Sequence, residues 1–293
     1  MNIAIVGANG YIGQNLIKRL LSETNHSIVA LSSNVETMAL SHARLTKHNV
    51  DVFDTAKLHT YIQSCDTAYY LIHMMAQKKL DFAVAETNAA ESFCTAANNS
   101  NIKRVIYLGG LGNDDDKLSK HLASRHKTGE ILKQGLPLLI EFRAAMVIGR
   151  GSISYDIITN LIHKLPFLTL PKWAKTLTQP IGLDDVMTYL IAALELNAKE
   201  SLIIEIGGPE QISYGDLMKR YAAWKNKKVM IIKFHVIPVG IAAWWLNLFT
   251  PKNHAKVGRI MVESLSNPMV VTNNNARVLF PDVHPKILEE VFV

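Results

Sequence analysis

Apolar positions along the chain fall into two alternating periods. Residues 1–6 (M-N-I-A-I-V) form a short run rich in β-formers, and 14–21 carry Leu16, Ile17, Leu20 and Leu21 at helical spacing. Further strands are predicted at 27–31, 46–53, 67–73, 104–108 and 137–142, the run T-A-Y-Y-L-I-H being apolar enough to sit centrally. Helices are predicted between them at 55–64, at 79–98, which is rich in alanine, and at 122–134. Repeated βα units of this kind build a parallel sheet covered on both faces. After Gly149 the alternation becomes irregular. Helices are predicted at 153–165, at 184–194 with Asp184 as cap, and at 214–224, with a strand at 201–206 that would rejoin the sheet. The pattern predicts an α/β fold: a Rossmann-type doubly wound parallel sheet with a smaller, mainly helical C-terminal lobe. Residues 1–150 would be the core domain, rejoined by 184–208, with 151–183 and 209–293 as the smaller lobe.

The stretch between the first strand and the first helix is Gly7-Ala8-Asn9-Gly10-Tyr11-Ile12-Gly13. A strand, a glycine turn and a helix N-terminus together hold a nucleotide pyrophosphate. Gly7 permits the tight turn, Gly10 lets backbone approach phosphate, and Gly13 lets the helix pack close to the strand. The free N–H groups and dipole of the helix start favour the anion. Gly7, Asn9, Gly10, Tyr11, Ile12 and Gly13 are therefore the candidate phosphate cradle. The bland alternative is a βα turn that merely favours glycine.

Bulk composition narrows the class. The chain has 293 residues, 48% hydrophobic and 19% charged, enough for a sizeable core in one large domain or two intimate ones. The formal charge of +6 is spread evenly: 16 Lys+Arg against 13 Asp+Glu in residues 1–150, and 15 against 12 in the rest, or +3 in each half. With no basic block, nucleic acid is not an expected partner, whereas small anions are. Cys65 and Cys94 form no C-x-x-C and read as reduced core thiols of a cytoplasmic protein. A strand at the N-terminus leaves no room for a signal peptide. The apolar stretch 236–249 is shorter than the ~20 residues a membrane span needs, and it contains Pro, Gly and Asn. Within it Trp244-Trp245 is a candidate contact for a protein or a membrane surface, against plain packing.

The strand ends supply the other candidates. After the second strand, Leu31-Ser32-Ser33-Asn34 carries no carboxylate. Ser32 and Ser33 suit the ribose phosphate of NADP(H) better than NAD(H), with Arg44 and Lys47 near enough in sequence to reach round; otherwise these residues cap the next helix. Asp51 and Val52 are candidates for the adenine edge, Asp51 being alternatively a solvated loop carboxylate. Ile72, His73 and Met74, ending the fourth strand, would run beside the cofactor ribose. In the second half Tyr155, Trp173 and Gln179 are candidates for a pocket wall, though each is individually commoner in cores.

The motifs G-A-N-G-Y-I-G, D-T-A-Y-Y-L-I-H and V-I-Y-L-G-G-L-G together resemble the short-chain dehydrogenase/reductase superfamily, in its atypical, NmrA-related branch, with the YbjT-like NAD(P)-binding group the most similar pattern. The likeness continues through Ser124-Arg125-His126, Gly129-Glu130-Ile131-Leu132, Arg143-Ala144-Ala145-Met146-Val147-Ile148-Gly149, Gln179-Pro180-Ile181, Ile206-Gly207-Gly208-Pro209 and Val262-Glu263-Ser264-Leu265. It implies that Leu108, Gly109, Gly110, His126 and Met146 adjoin the nicotinamide half of the cofactor. Standard members of the superfamily use a Tyr-x-x-x-Lys pair, the Tyr donating a proton to a carbonyl and the Lys lowering its pKa. Aligned on Glu130, the Tyr position is Leu122 and the Lys position is His126. Leu122 has no proton to give, so His126 becomes the candidate for ribose contact or acid chemistry, while Arg125 points elsewhere as a surface or salt-bridge residue. No metal site is expected. The resemblance implies an NAD(P)(H)-binding oxidoreductase for a quinone-like or aromatic carbonyl acceptor. The alternative is a non-catalytic nucleotide-responsive sensor or assembly factor. An epimerase or dehydratase acting on a sugar nucleotide ranks last, because it too needs the Tyr and Lys.

Overall fold

The computed structural model describes residues 1–75, 81–114, 116–164, 167–169, 172–227, 230–232 and 263–293. The 236–249 stretch with Trp244-Trp245 lies outside these residues. Seven strands form one sheet: β1 (Asn2–Val6), β2 (Ser27–Ser32), β3 (Leu45–Asn49), β4 (Thr67–Tyr70), β5 (Arg104–Gly110), β6 (Leu139–Ala144) and β7 (Leu202–Ile206). Their order is β7-β6-β5-β4-β1-β2-β3, and every pairing is parallel. The order reverses between β1 and β4, which makes the crevice past their carboxyl ends the topological switch point.

Helices cover both faces. α1 (Tyr11–Glu23) and α6 (Leu183–Ala192) share one apolar layer with Ile3, Ile5, Tyr69 and Phe142. On the other face α2 (Thr55–Ile62), α3 (Phe82–Asn98) and α4 (Lys120–Gly135) pack on Ala4, Val6, Tyr70 and Tyr107. Two arginines at strand starts, Arg44 just before β3 and Arg104 opening β5, close helix ends. Arg44 donates to the carbonyls of Leu21, Thr24 and His26 past α1, and Arg104 donates to those of Ala193, Leu194 and Leu196 past α6. Cations suit these negative dipole ends. Cys65 and Cys94 are buried free thiols, and burial pushes each up to about 11.

Several boundaries differ from the sequence pattern for local reasons. β4 stops at Tyr70, so Leu71 to His73 leave the sheet as a loop over the crevice. α3 begins at Phe82, where Asp81 caps it by accepting from the Ala83 amide. Asp184 is not a cap: Gly182 takes that position, and Asp184 lies in the first turn, where its charge suits the dipole. The smaller lobe has its own core, in which Tyr155, Ile158 and Ile162 of α5 (Ile153–Lys164) meet Tyr214, Leu217 and Tyr221 of α7 (Tyr214–Trp224), with Phe292 closing it. Short two-stranded pairs, such as Val147–Ile148 with Ile181–Gly182, stitch the lobe to the sheet. Among the described residues no helix is long and apolar enough to cross a membrane.

Candidate cofactor and active site

The cradle begins where β1 ends. The amides of Gly7 and Ala8 both donate to Leu31 O, and Gly10 N donates to Gly7 O, so the turn is closed by its own backbone. Gly7 has φ +93°, and a Cβ there would stand 2.7 Å from Leu71 O. A Cβ at Gly13 would stand 2.6 Å from Gly7 O and 2.7 Å from Ala8 O. Both glycines are therefore required by the fold itself. Gly10 is different: its φ is −69°, ordinary for any residue, and a Cβ there meets only Gly7 O, at 3.2 Å. It is the N-cap of α1 and no side chain caps that helix, so the amides of its first turn have no partner within the helix. Asn9 is held by donating to Asn34 O and to Thr37 Oγ1, each at 2.8 Å, and Gln14 donates to Asn9 Oδ1. The residues present fit a dinucleotide pyrophosphate: a tight glycine turn leads into a helix whose first-turn amides no side chain caps.

Ser32 and Ser33 flank the same turn at the end of β2, beside Asn34. Arg44 and Lys47 do not reach them. Arg44 is spent on the end of α1, and Lys47 Nζ donates to Met38 O and Leu40 O. Asp51 folds its carboxylate onto the Phe53 amide, and Val52 is buried in the sheet's core.

Beyond the switch point, Arg125 ties two strand ends together. It donates to Ile72 O, past β4, at 3.1 Å and to Leu108 O in β5. Its guanidinium also lies 4.8 Å from the centre of the Tyr107 ring and 3.9 Å from the buried carboxylate of Glu86. Of the two roles expected for Arg125, surface or salt bridge, the second is the one found: it is buried on the covered side of α4 and paired with Glu86. Glu86 accepts from the Met74 amide and from Ser124 Oγ. His73 Nε2 lies 3.1 Å from His121 Nε2, and His121 Nδ1 lies 3.2 Å from Ser264 Oγ. Burial, reinforced by Arg125, pushes His121 down to about 4; the same causes, with His121 added, hold His73 far below the ordinary imidazole range.

The end of β5 carries a second network. His126 is buried; its Nδ1 meets Asp114, and its Nε2 lies 3.0 Å from Gly110 O. Asp114 also accepts from Arg143 Nη1 at 3.1 Å, and Arg143 Nε donates to Glu141 Oε1 at 2.8 Å. Glu141 is 1% exposed; burial outweighs the pull of Arg143 and holds its carboxyl above the usual range. A Cβ on Gly129 would stand 2.3 Å from Glu141 Oε2, so glycine at that point of α4 is what admits the carboxylate. Leu122 is buried, with its methyls against Gly110 and Gly112, and Met146 is buried in the same apolar cluster.

Glu86, Asp114, Glu141 and Arg143 were not among the sequence candidates. The signal lay in L-I-E-F-R-A, where two opposite charges at alternate positions of an apolar strand must share one face. Of the lobe residues, Tyr155 belongs to the core, its hydroxyl paired with the backbone of Val293. Trp173 packs edge-on to Tyr214. Gln179 alone of the three borders a described cavity, one at the β7 edge. Among the described residues no group of three or more His, Cys, Asp or Glu could hold a metal ion.

Residues 7–147 match a family model described as NAD(P)H-binding. No curated protein matches the sequence. Solved structures of the same fold include a nucleoside-diphosphate-sugar epimerase from Staphylococcus aureus, 14% identical over 99% of this chain and 98% of that one, with a TM-score of 0.76. The triphenylmethane reductase of Citrobacter sp. complexed with NADP(H) is 12% identical over 99% and 98%, with a TM-score of 0.76. An NADPH-dependent quinone oxidoreductase from Escherichia coli, complexed with NADPH, is 17% identical over 98% and 97%, with a TM-score of 0.75.

Proposed function

We propose that this chain, whose residues 7–147 match an NAD(P)H-binding family model, is a reductase of the short-chain dehydrogenase/reductase kind whose acceptor needs no proton from a protein acid. What supports the reading is a glycine turn leading into a helix start that no side chain caps, suited to a pyrophosphate, combined with a buried leucine, Leu122, in the position that the resemblance gives to the proton-donating Tyr. The cofactor, when bound, supplies a hydride. A quinone-like acceptor gains two electrons and one proton in that hydride and takes its second proton from water. The protein then has to bind, orient and exclude solvent.

Named residues suit those tasks. Gly7 to Gly13 and the open first turn of α1 would hold the pyrophosphate. Ser32 and Ser33, with no carboxylate beside them in sequence, favour NADP(H) over NAD(H). Asp51 and Val52 would border the adenine, and Ile72, His73 and Met74 the riboses. Leu108, Gly109, Gly110 and Met146 would line the nicotinamide half, where the glycines leave room for a flat acceptor. Arg125 positions that wall by fixing the ends of two strands. His126 would act by holding Gly110 and Asp114 in place.

The test is consumption of NADPH and NADH with a panel of quinones and triphenylmethane dyes, classes suggested by two solved proteins of this fold. Turnover with NADPH preferred is expected. Tight NADPH binding with no turnover on any acceptor would overturn the reading. The sensor alternative, favoured by the same Leu122, would then predict unequal affinities for oxidised and reduced cofactor.

A further inference from the structure

A cavity of about 600 Å³ opens at the β7 edge of the sheet, three strands beyond β4 and so away from the switch point. Gly207 and Gly208 form one wall, and the segment 271–285 forms the other. The walls are braced before any ligand arrives. Gln179 Nε2 donates to Gly208 O at 2.7 Å, and its Oε1 accepts from the Val271 amide at 3.0 Å. A Cβ at Gly208 would stand 2.3 Å from Pro180 O, so the wall cannot be padded there. Such pre-formed, braced concavities are where small ligands bind.

Tyr189 and Arg277 are among the polar groups on this cavity that have no partner among the described residues. Tyr189 is 2% exposed, its ring 5.6 Å from Phe280 and 6.0 Å from Phe142. Its hydroxyl has no hydrogen-bond partner among the described residues although it borders the cavity. Burial raises its pKa, so it stays a donor. Arg277, on the short helix Asn275–Leu279, lines the same cavity and makes no ion pair or hydrogen bond among the described residues. The one carboxylate in the lining, Glu205, is already turned to the amide and hydroxyl of Thr272. An unpaired guanidinium and an unpaired phenol hydroxyl beside the apolar surfaces of Phe280, Val271 and Val283 call for an oxyanion on a small apolar body.

We propose that this cavity is a second ligand site, separate from the dinucleotide cradle, for a small organic anion whose carboxylate or phosphate meets Arg277 and Tyr189 and whose body lies against Phe280 and Val271. Calorimetry of the full chain saturated with NADPH, titrated with benzoate, phenyl phosphate, acetate and inorganic phosphate, tests it. One of the two aromatic probes binds once per chain, and which one binds identifies the head group. If phenyl phosphate is the probe that binds, inorganic phosphate binds more weakly, and if benzoate is, acetate does; parity within the pair would overturn the role given to the apolar body. Arg277→Gln is expected to weaken binding about tenfold or more, and Tyr189→Phe severalfold, with NADPH affinity unchanged in both. No binding of either aromatic probe at millimolar concentration, or equal binding by the Arg277→Gln variant, overturns the site.

Discussion

Gly10→Ala separates what the glycine turn does for the fold from what it does for the ligand. The residue has φ −69° and ψ 165°, which alanine adopts without strain. Its added Cβ would meet only Gly7 O, at 3.2 Å, a contact relieved by a shift of a few tenths of an ångström. Alanine gains about 0.4–1 kcal/mol from a less disordered unfolded chain and loses a comparable amount as the poorer N-cap. The net change in stability is therefore expected within about 1 kcal/mol. NADPH affinity behaves differently, because a methyl group at Gly10 stands where backbone must approach the pyrophosphate. A loss of about tenfold or more, or 1.4 kcal/mol upward, is expected. Gly13→Ala is the control: its Cβ would meet two backbone oxygens at 2.6 and 2.7 Å, and overpacking of that kind costs about 1–3 kcal/mol. Urea denaturation and fluorescence titration with NADPH read the two quantities separately. Wild-type affinity in a stably folded Gly10→Ala variant would refute the placement of the pyrophosphate over this turn.

The buried pair gives a second outcome. Arg143→Met strands the carboxylate of Glu141 and is expected to cost about 3–5 kcal/mol in urea unfolding, with Glu141→Gln added in the same chain recovering a large part; additive losses would contradict the pairing. Arg125→Met is expected to lower stability by a similar amount and to weaken NADPH binding, because it frees the carbonyls of Ile72 and Leu108 on the cofactor wall; unchanged affinity would remove that role. His121 has a folded-state pKa of about 4 against 6.5 ordinarily, so the unfolded chain binds the extra proton first as pH falls. Stability is then full above pH about 6.5 and declines toward pH 4, by about 3 kcal/mol at most, and His121→Asn flattens that decline; an unaltered pH profile would contradict it.

The sheet was legible in the sequence because its strands are short apolar runs set between helical periods, and β7 was legible for the same reason despite its distance along the chain. The glycine turn was legible because its requirement is local: a turn with no room for a Cβ at Gly7 or Gly13 writes glycine. The rest of the site depends on partners far apart in sequence. Arg125 read as a surface or salt-bridge residue because helical spacing says which residues share a face, and it does not say that its partner Glu86 is buried on α3. His126 was singled out for its position in a motif. That its ring spans Asp114 and Gly110 follows from the path of the loop after β5, which no periodicity encodes. The cavity beside Arg277 was invisible for the same reason, since its walls come from residues 179, 189, 205–211 and 271–285.

The central claim is that hydride passes to an acceptor without a proton from the protein. Single-turnover oxidation of bound NADPH by a quinone, measured with nicotinamide deuterated at the transferred position and again in heavy water, tests this most directly. A clear isotope effect from the deuterated nicotinamide and a solvent isotope effect near unity are expected. A substantial solvent isotope effect on the hydride step would contradict it, because a protein group would then be moving a proton in the transition state.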